Sequence, residues 1–237
     1  MKAILLELHL TYRCNLACAY CNRGCSLRTD HTPDITLAQW ETFLNQLKTS
    51  NTYILGVILI GGEPTLHPDL FGFVDLTRKL CPDVGISIYS NAFTANSREI
   101  LAKLKADYGI KNSGGTEKPT GSITHEEQDV FISPADLGIK RDFDCNWAGG
   151  KGCGYSVDGL GVTACSIGGA IDGLLWLGLR TWDVDEAQRR LLSLCAHCGH
   201  AWRAPDPEDA RIMTVQGQRM TKTWASQAKR INRSECI

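Results

Sequence analysis

The chain has 237 residues, 43% hydrophobic and 22% charged, an ordinary globular usage that excludes a disordered, collagen-like or coiled-coil protein. Its 25 Lys and Arg against 26 Asp and Glu leave a net charge of −1, so no overall field draws it to nucleic acid or to an anionic membrane, and partners must be recognised locally. The longest apolar runs, Tyr53 to Ile60 and Ile167 to Leu179 with Asp172 inside it, fall short of the roughly 18 residues of a membrane span. The N-terminal stretch carries Glu7 and His9 with no cleavage site after it, which predicts a cytoplasmic chain. In that setting 11 cysteines point to metal ligation rather than disulfides.

Along the chain, Ala3 to Leu10 reads as a buried strand running straight into Cys14-Asn-Leu-Ala-Cys18-Ala-Tyr-Cys21. Thr36 and Gln39 form a capping box for a helix whose stripe is Leu37, Trp40, Leu44 and Leu47. Gly56 to Ile60 is a β-branched run suited to a parallel strand; it closes on Gly61-Gly62-Glu63-Pro64, and a helix over Pro68 to Leu80 follows. Val84 to Tyr89 is a third strand closing on Ser90-Asn91, with a helix from Ser97 to Lys105. This alternation predicts an α/β fold, an abbreviated, open (partial TIM-like) parallel β/α barrel with its functional loops at the C-terminal ends of the strands. Lys111 to Asp129 turns polar, and Val130 to Ile132 is read as a last strand, making four or five before the later cysteines. A small cysteine-rich hairpin-plus-helix extension completes the chain, which divides into 1–135 and 136–237. Thr223 to Ile231 is a further helix, and the basic stretch Arg219 to Arg233 around it reads as a solvated face.

The cysteines fall into two groups. Three thiolates spaced as Cys14, Cys18 and Cys21 can hold three irons of a [4Fe–4S] cluster and leave the fourth iron open; a zinc site completed by Cys25 is the alternative. Strand, C-x₃-C-x₂-C loop with Tyr20 before its last cysteine, and Gly61-Gly62-Glu63-Pro64 closing the next strand resemble the radical S-adenosylmethionine (SAM) superfamily over residues 3 to about 105. The resemblance implies that the amino and carboxylate groups of SAM chelate the open iron. It implies further that Gly61, Gly62 and Glu63 run beside the amino group, that Tyr20 meets the adenine side, and that Ser90 and Asn91 contact SAM. The glycines are read as giving backbone a close approach to the ligand. The reaction implied is reductive cleavage of SAM to a 5′-deoxyadenosyl radical that abstracts a hydrogen atom, with a flavodoxin- or ferredoxin-type protein as reductant. Cys25 is left as a bystander.

In the second group, Cys145 and Cys165 flank a hairpin and Cys195-Ala-His-Cys198 comes from a later turn, with Cys153 a rival to Cys145. This resembles the twitch or half-SPASM extension of radical SAM enzymes and implies an auxiliary [4Fe–4S] cluster; Cys195 to His200 also resembles a zinc knuckle, so zinc stays as the alternative. No residue among His125, Glu126, Asp142, Asp144, Trp147 and Tyr155 stands out as a catalytic base. The leading reading is a radical SAM oxidoreductase carrying out a net oxidation helped by the auxiliary cluster. The alternative is modification of a ribosomally made peptide by thioether or carbon–carbon crosslinking or epimerisation. A glycyl-radical activating enzyme, a deazaguanine synthase and a non-catalytic iron–sulfur or zinc module rank below. The expected substrate is a small molecule or a peptide, with neither nucleic acid nor membrane as partner.

Overall fold

A computed structural model describes residues 2–18, 21–27, 32–113, 130–139, 145, 154–199, 210–215 and 218–234. Strand β1 (Lys2–Thr11) is buried on both faces in its second half, with Leu6, Leu8 and Leu10 alternating with Glu7, His9 and Thr11. A strand covered on both sides belongs in the middle of a sheet. β2 (Thr52–Gly61) pairs parallel with it, and β3 (Gly85–Ile88) pairs parallel with β2. Helix α1 (Leu37–Thr49) starts at the expected capping box, with Thr36 and Gln39 satisfying each other's backbone. Trp40, Phe43, Leu44 and Leu47 of α1 join Leu70, Phe73 and Val74 of α2 (Leu70–Leu80) in one core with the leucines of β1. The Trp40 indole N–H donates to Thr77 Oγ1 at 2.9 Å and ties the two helices together. α3 (Ala95–Tyr108) completes the third strand-helix unit, capped by Thr94 and closed by Gly109 in the left-handed conformation.

The fourth strand departs from simple succession. β4 (Tyr155–Asp158) lies parallel to β1 on the edge away from β2, and β5 (Gly161–Thr163) turns back antiparallel to it, so the order is β3-β2-β1-β4-β5. The fold is α/β with a mostly parallel sheet, as expected, but among the described residues three strands rather than four or five precede the hairpin. Val130 to Ile132 are buried without being a strand. Their backbone is satisfied from elsewhere: Gly199 N donates to the Val130 carbonyl, Thr221 N to that of Phe131, and Ser133 N donates to Thr221 Oγ1.

α4 (Gly168–Leu175), α5 (Val184–Arg189) and α6 (Leu191–Cys195) follow the hairpin, then a small antiparallel pair, β6 (Met213–Val215) and β7 (Gln218–Met220), and α7 (Lys222–Ser234). Phe131, Ile167, Ile171, Leu174, Leu194 and Trp224 form a second core that also takes in Cys165 and Cys198. Among the described residues no helix is long and apolar enough to cross a membrane.

Candidate functional site

At the C-terminal ends of β1, β2 and β3, the loops following them line one cavity of about 330 Å³. Cys14, Cys18 and Cys21 enter it from the loop after β1, Gly61 and Gly62 from the end of β2, and Ser90 and Asn91 from the end of β3. Seven of the described positions singled out from three separate motifs thus meet at one place, along with Ser90's neighbour Tyr89, the bystander Cys25, and Arg23, passed over in the sequence. Tyr20 lies outside the described residues.

The glycines are required by the strand ends themselves. Gly62 N donates to the Thr11 carbonyl at 2.7 Å and Glu63 N to that of Arg13 at 2.8 Å, stitching the end of β2 to the exit of β1. A Cβ on Gly61, whose φ is +141°, would stand 2.2 Å from the Thr11 oxygen, and one on Gly62 would stand 2.3 Å from the Arg13 oxygen. The close approach is therefore between two strand ends, which sets the rim that the cysteine loop hangs from.

Glu63 is the organising side chain. It is fully buried; its Oε1 accepts from Thr65 N at 3.1 Å, Thr65 Oγ1 at 2.6 Å and Ser90 Oγ at 2.7 Å, and its Oε2 accepts from Asn91 N at 2.8 Å. The Ser90 hydroxyl proton is thereby committed to Glu63, while the Asn91 amide reaches across to Asn15 Oδ1 at 2.8 Å and lies 3.9 Å from Cys14 Sγ. Glu63 is thus the joint between the motifs closing β2 and β3, a relation no local pattern reveals.

The front thiols differ in acidity. Burial pushes Cys14 up to about 11. Cys21 is held down at about 6 by a hydrogen bond from the Cys25 side chain, against the effect of burial, with backbone donors and the Arg23 charge adding to it. A ready thiolate is the form that binds iron. Among the described residues no three Cys, His, Asp or Glu side chains close on a single metal ion. Four thiols, Cys14, Cys18, Cys21 and Cys25, line the cavity; the first three would each take one iron of a [4Fe–4S] cube and leave its fourth iron open, and all four together are the donor set of the zinc alternative.

At the back, Cys165 directly follows the hairpin, Cys195 ends α6 and Cys198 closes the next turn through its N–H to the Cys195 carbonyl. Burial raises the Cys165 thiol strongly, and Cys198, Cys195 and Cys145 add to the rise, so each of these three lies within electrostatic reach of Cys165. Cys153 and His200 lie outside the described residues, as do His125, Glu126, Asp142, Asp144 and Trp147. His197 is half-buried with its Nδ1 3.5 Å from Ser133 Oγ, and Tyr155 spends its hydroxyl on Gln188.

A buried polar network that the sequence did not disclose ties the exit of β1 to the hairpin and α4. Arg180 donates to Asp158 and Asp172 and to the Gly169 carbonyl, and Tyr12 donates to the same Asp158 oxygen at 2.9 Å. On the inner face of β1, Glu7 accepts from Arg23 at 2.7 Å with His9 beside it.

Residues 8–109 match the Radical SAM superfamily. The chain is 40% identical over 73 residues to the S-adenosylmethionine-dependent nucleotide dehydratase of Selenomonas ruminantium, covering 31% of this chain and 25% of that one. It is 36% identical over 101 residues to the PqqA peptide cyclase of Methylorubrum extorquens, covering 43% and 24%. Mycofactocin maturase MftC of Mycobacterium ulcerans is 28% identical over 124 residues, covering 51% and 32%. These matches span a quarter to a third of the relatives' lengths. Among solved structures, Streptococcus suis SuiB bound to S-adenosylmethionine aligns with a TM-score of 0.34 at 28% identity, covering 43% of this chain and 23% of that one.

Proposed function

We propose that this chain, which carries a radical SAM superfamily domain over residues 8–109, holds a [4Fe–4S] cluster on Cys14, Cys18 and Cys21 and binds SAM in the cavity beside them. The observation that carries this reading is the convergence of those thiols with Gly61, Gly62, Ser90 and Asn91 on one cavity. The chemistry that cluster and SAM supply when bound is one-electron cleavage of SAM to methionine and a 5′-deoxyadenosyl radical, which abstracts a hydrogen atom from the substrate.

The chain's own contribution is positional. The paired ends of β1 and β2 fix the rim of the cavity, Glu63 locks the Ser90-Asn91 turn against that rim, and Asn91 reaches over Cys14. Tyr20 completes the adenine side. In the C-terminal part, Cys145, Cys165, Cys195 and Cys198 hold an auxiliary [4Fe–4S] cluster and make the overall reaction a net oxidation; the nearness of the other three thiols to the buried Cys165 supports it. The substrate class is a peptide, a reading favoured by the similar protein named as a peptide cyclase. A flavodoxin- or ferredoxin-type protein supplies the electron, and the chain works in the cytoplasm.

The test is iron, sulfide and zinc content after anaerobic reconstitution, with 5′-deoxyadenosine measured after dithionite reduction. Two clusters require about eight irons per chain, falling to about four in Cys18→Ala, which forms no 5′-deoxyadenosine. An unreduced wild-type level of 5′-deoxyadenosine in Cys18→Ala refutes the front site. Four irons with one zinc refutes the auxiliary cluster and leaves a structural site in its place.

A further inference from the structure

Arg23 lies two residues beyond Cys21 and lines the cavity, yet its side chain is only 8% exposed. Its Nη2 donates to Glu7 Oε2 at 2.7 Å, while Nε and Nη1 are buried with no hydrogen-bond partner among the described residues. His9 repeats the pattern on the same face of β1. Its Nε2 stands 3.8 Å from that same Glu7 oxygen, and neither ring nitrogen has a hydrogen-bond partner among the described residues. A guanidinium can only donate, and buried donors without acceptors are costly, so a native site that keeps them has an acceptor to meet. Glu7 balances the charge of Arg23 but occupies only one of its nitrogens.

We propose that Arg23, which lines the cavity and is braced by Glu7 with His9 beside it, is a subsite for a carboxylate of the substrate. Free donors on a fixed planar cation suit the oxygens of a carboxylate, and the Glu7 charge next to them disfavours a more highly charged phosphate. The subsite rests on the reading above in one respect: the resemblance assigns the carboxylate of SAM to the open iron, which leaves Arg23 for a second molecule. A carboxylate from SAM itself and one from the substrate share the same chemistry, and binding measurements separate them.

The reconstituted holoprotein, saturated with SAM, is titrated with ¹³C-labelled glutarate and separately with the uncharged glutaramide, each followed by NMR. Wild type is expected to prefer glutarate by about tenfold or more, the scale of a hydrogen bond to a charged group. The paired variant Glu7→Gln with Arg23→Met strands no buried carboxylate and is expected to lose that preference to within about twofold. Circular dichroism and iron content establish that it has folded. A wild type without preference overturns the proposal, as does a preference that survives in the paired variant. A variant that loses affinity for SAM but keeps its glutarate preference assigns the guanidinium to SAM and also overturns it. Failure of the wider reading looks different: wild type binds no iron and forms no 5′-deoxyadenosine, whatever its glutarate preference.

Discussion

Replacing Arg180 by methionine keeps most of the side-chain volume and removes one buried cation. The guanidinium is 4% exposed and makes four short contacts: Nε and Nη2 to Asp158 Oδ2 at 2.9 and 2.8 Å, Nη1 to Asp172 Oδ2 at 2.6 Å, and Nη2 to the Gly169 carbonyl at 2.6 Å. Burial alone would lower its affinity for a proton, and the Asp158 charge, with Tyr12 and Asp172, raises it above the ordinary arginine value. After the substitution Asp158 keeps Tyr12 and the Leu160 N–H, and Asp172 keeps the Leu179 N–H, but both carboxylates, 1% and 5% exposed, lose their countercharge. Removing one side of a buried ion pair costs about 3–5 kcal/mol, a large part of the about 5–15 kcal/mol that holds a domain folded. With a urea dependence of about 1–3 kcal/mol per molar, the midpoint should fall by roughly 1–5 M. The assay is equilibrium unfolding in urea, followed by far-ultraviolet circular dichroism on the anaerobic protein. Adding Asp158→Asn and Asp172→Asn to Arg180→Met should recover at least half the loss, because the cost comes from the stranded charges and not from the missing arginine. A single variant that loses less than about 1 kcal/mol, or a triple variant no better than the single, would show that the network does not hold the hairpin and α4 to β1.

Glu63→Ala deprives Thr65, Ser90 and Asn91 of their shared acceptor. The affinity for SAM, measured by equilibrium dialysis on reconstituted protein, should drop about tenfold or more, and an unchanged value would remove Glu63 from the organisation of the cavity. Burial lowers the proton affinity of His9, His67 and His197 below the ordinary value of 6.5. Their neutral forms favour the fold, so stability is full above the unfolded value and is lost as pH falls below it, by at most about 1.4 kcal/mol per pH unit for each histidine. His9→Gln should flatten that acid limb in urea melts at stepped pH, and an identical slope would refute the assignment. Cys195→Ala should lower iron content by about half while 5′-deoxyadenosine formation persists; retention of all the iron would separate Cys195 from any cluster.

What could be read beforehand was local. The Thr36–Gln39 box, the apolar stripe of α1 and the run of β2 are short-range patterns, and each appears within a few residues of its expected place. The cysteine triplet, the Gly-Gly-Glu turn and the Ser-Asn turn were legible because strand ends deliver such turns to one side of a parallel sheet. Relations between distant residues were not. Glu63 meets Ser90 across 27 positions, Arg23 meets Glu7 across two elements, and Tyr12 meets Asp158 across 146 positions. Val130 to Ile132 carry strand-forming side chains, but Thr221 and Gly199 claim their backbone, a choice made by tertiary packing over propensity.

The sheet order also bears on how the chain is made. β1 leaves the ribosome before β2, which covers one of its edges soon afterwards, but the other edge waits for β4, which begins at Tyr155. At synthesis rates of roughly 5–20 residues per second, that edge spends on the order of 10 s with its amide and carbonyl groups bare. A nascent strand with an open edge is a template for pairing with other chains, so the hairpin that closes it acts as a late guard against aggregation during translation. Chains cut short before the hairpin should be caught by chaperones or lost to inclusion bodies even though the cysteine triplet and both of its partner turns are already present.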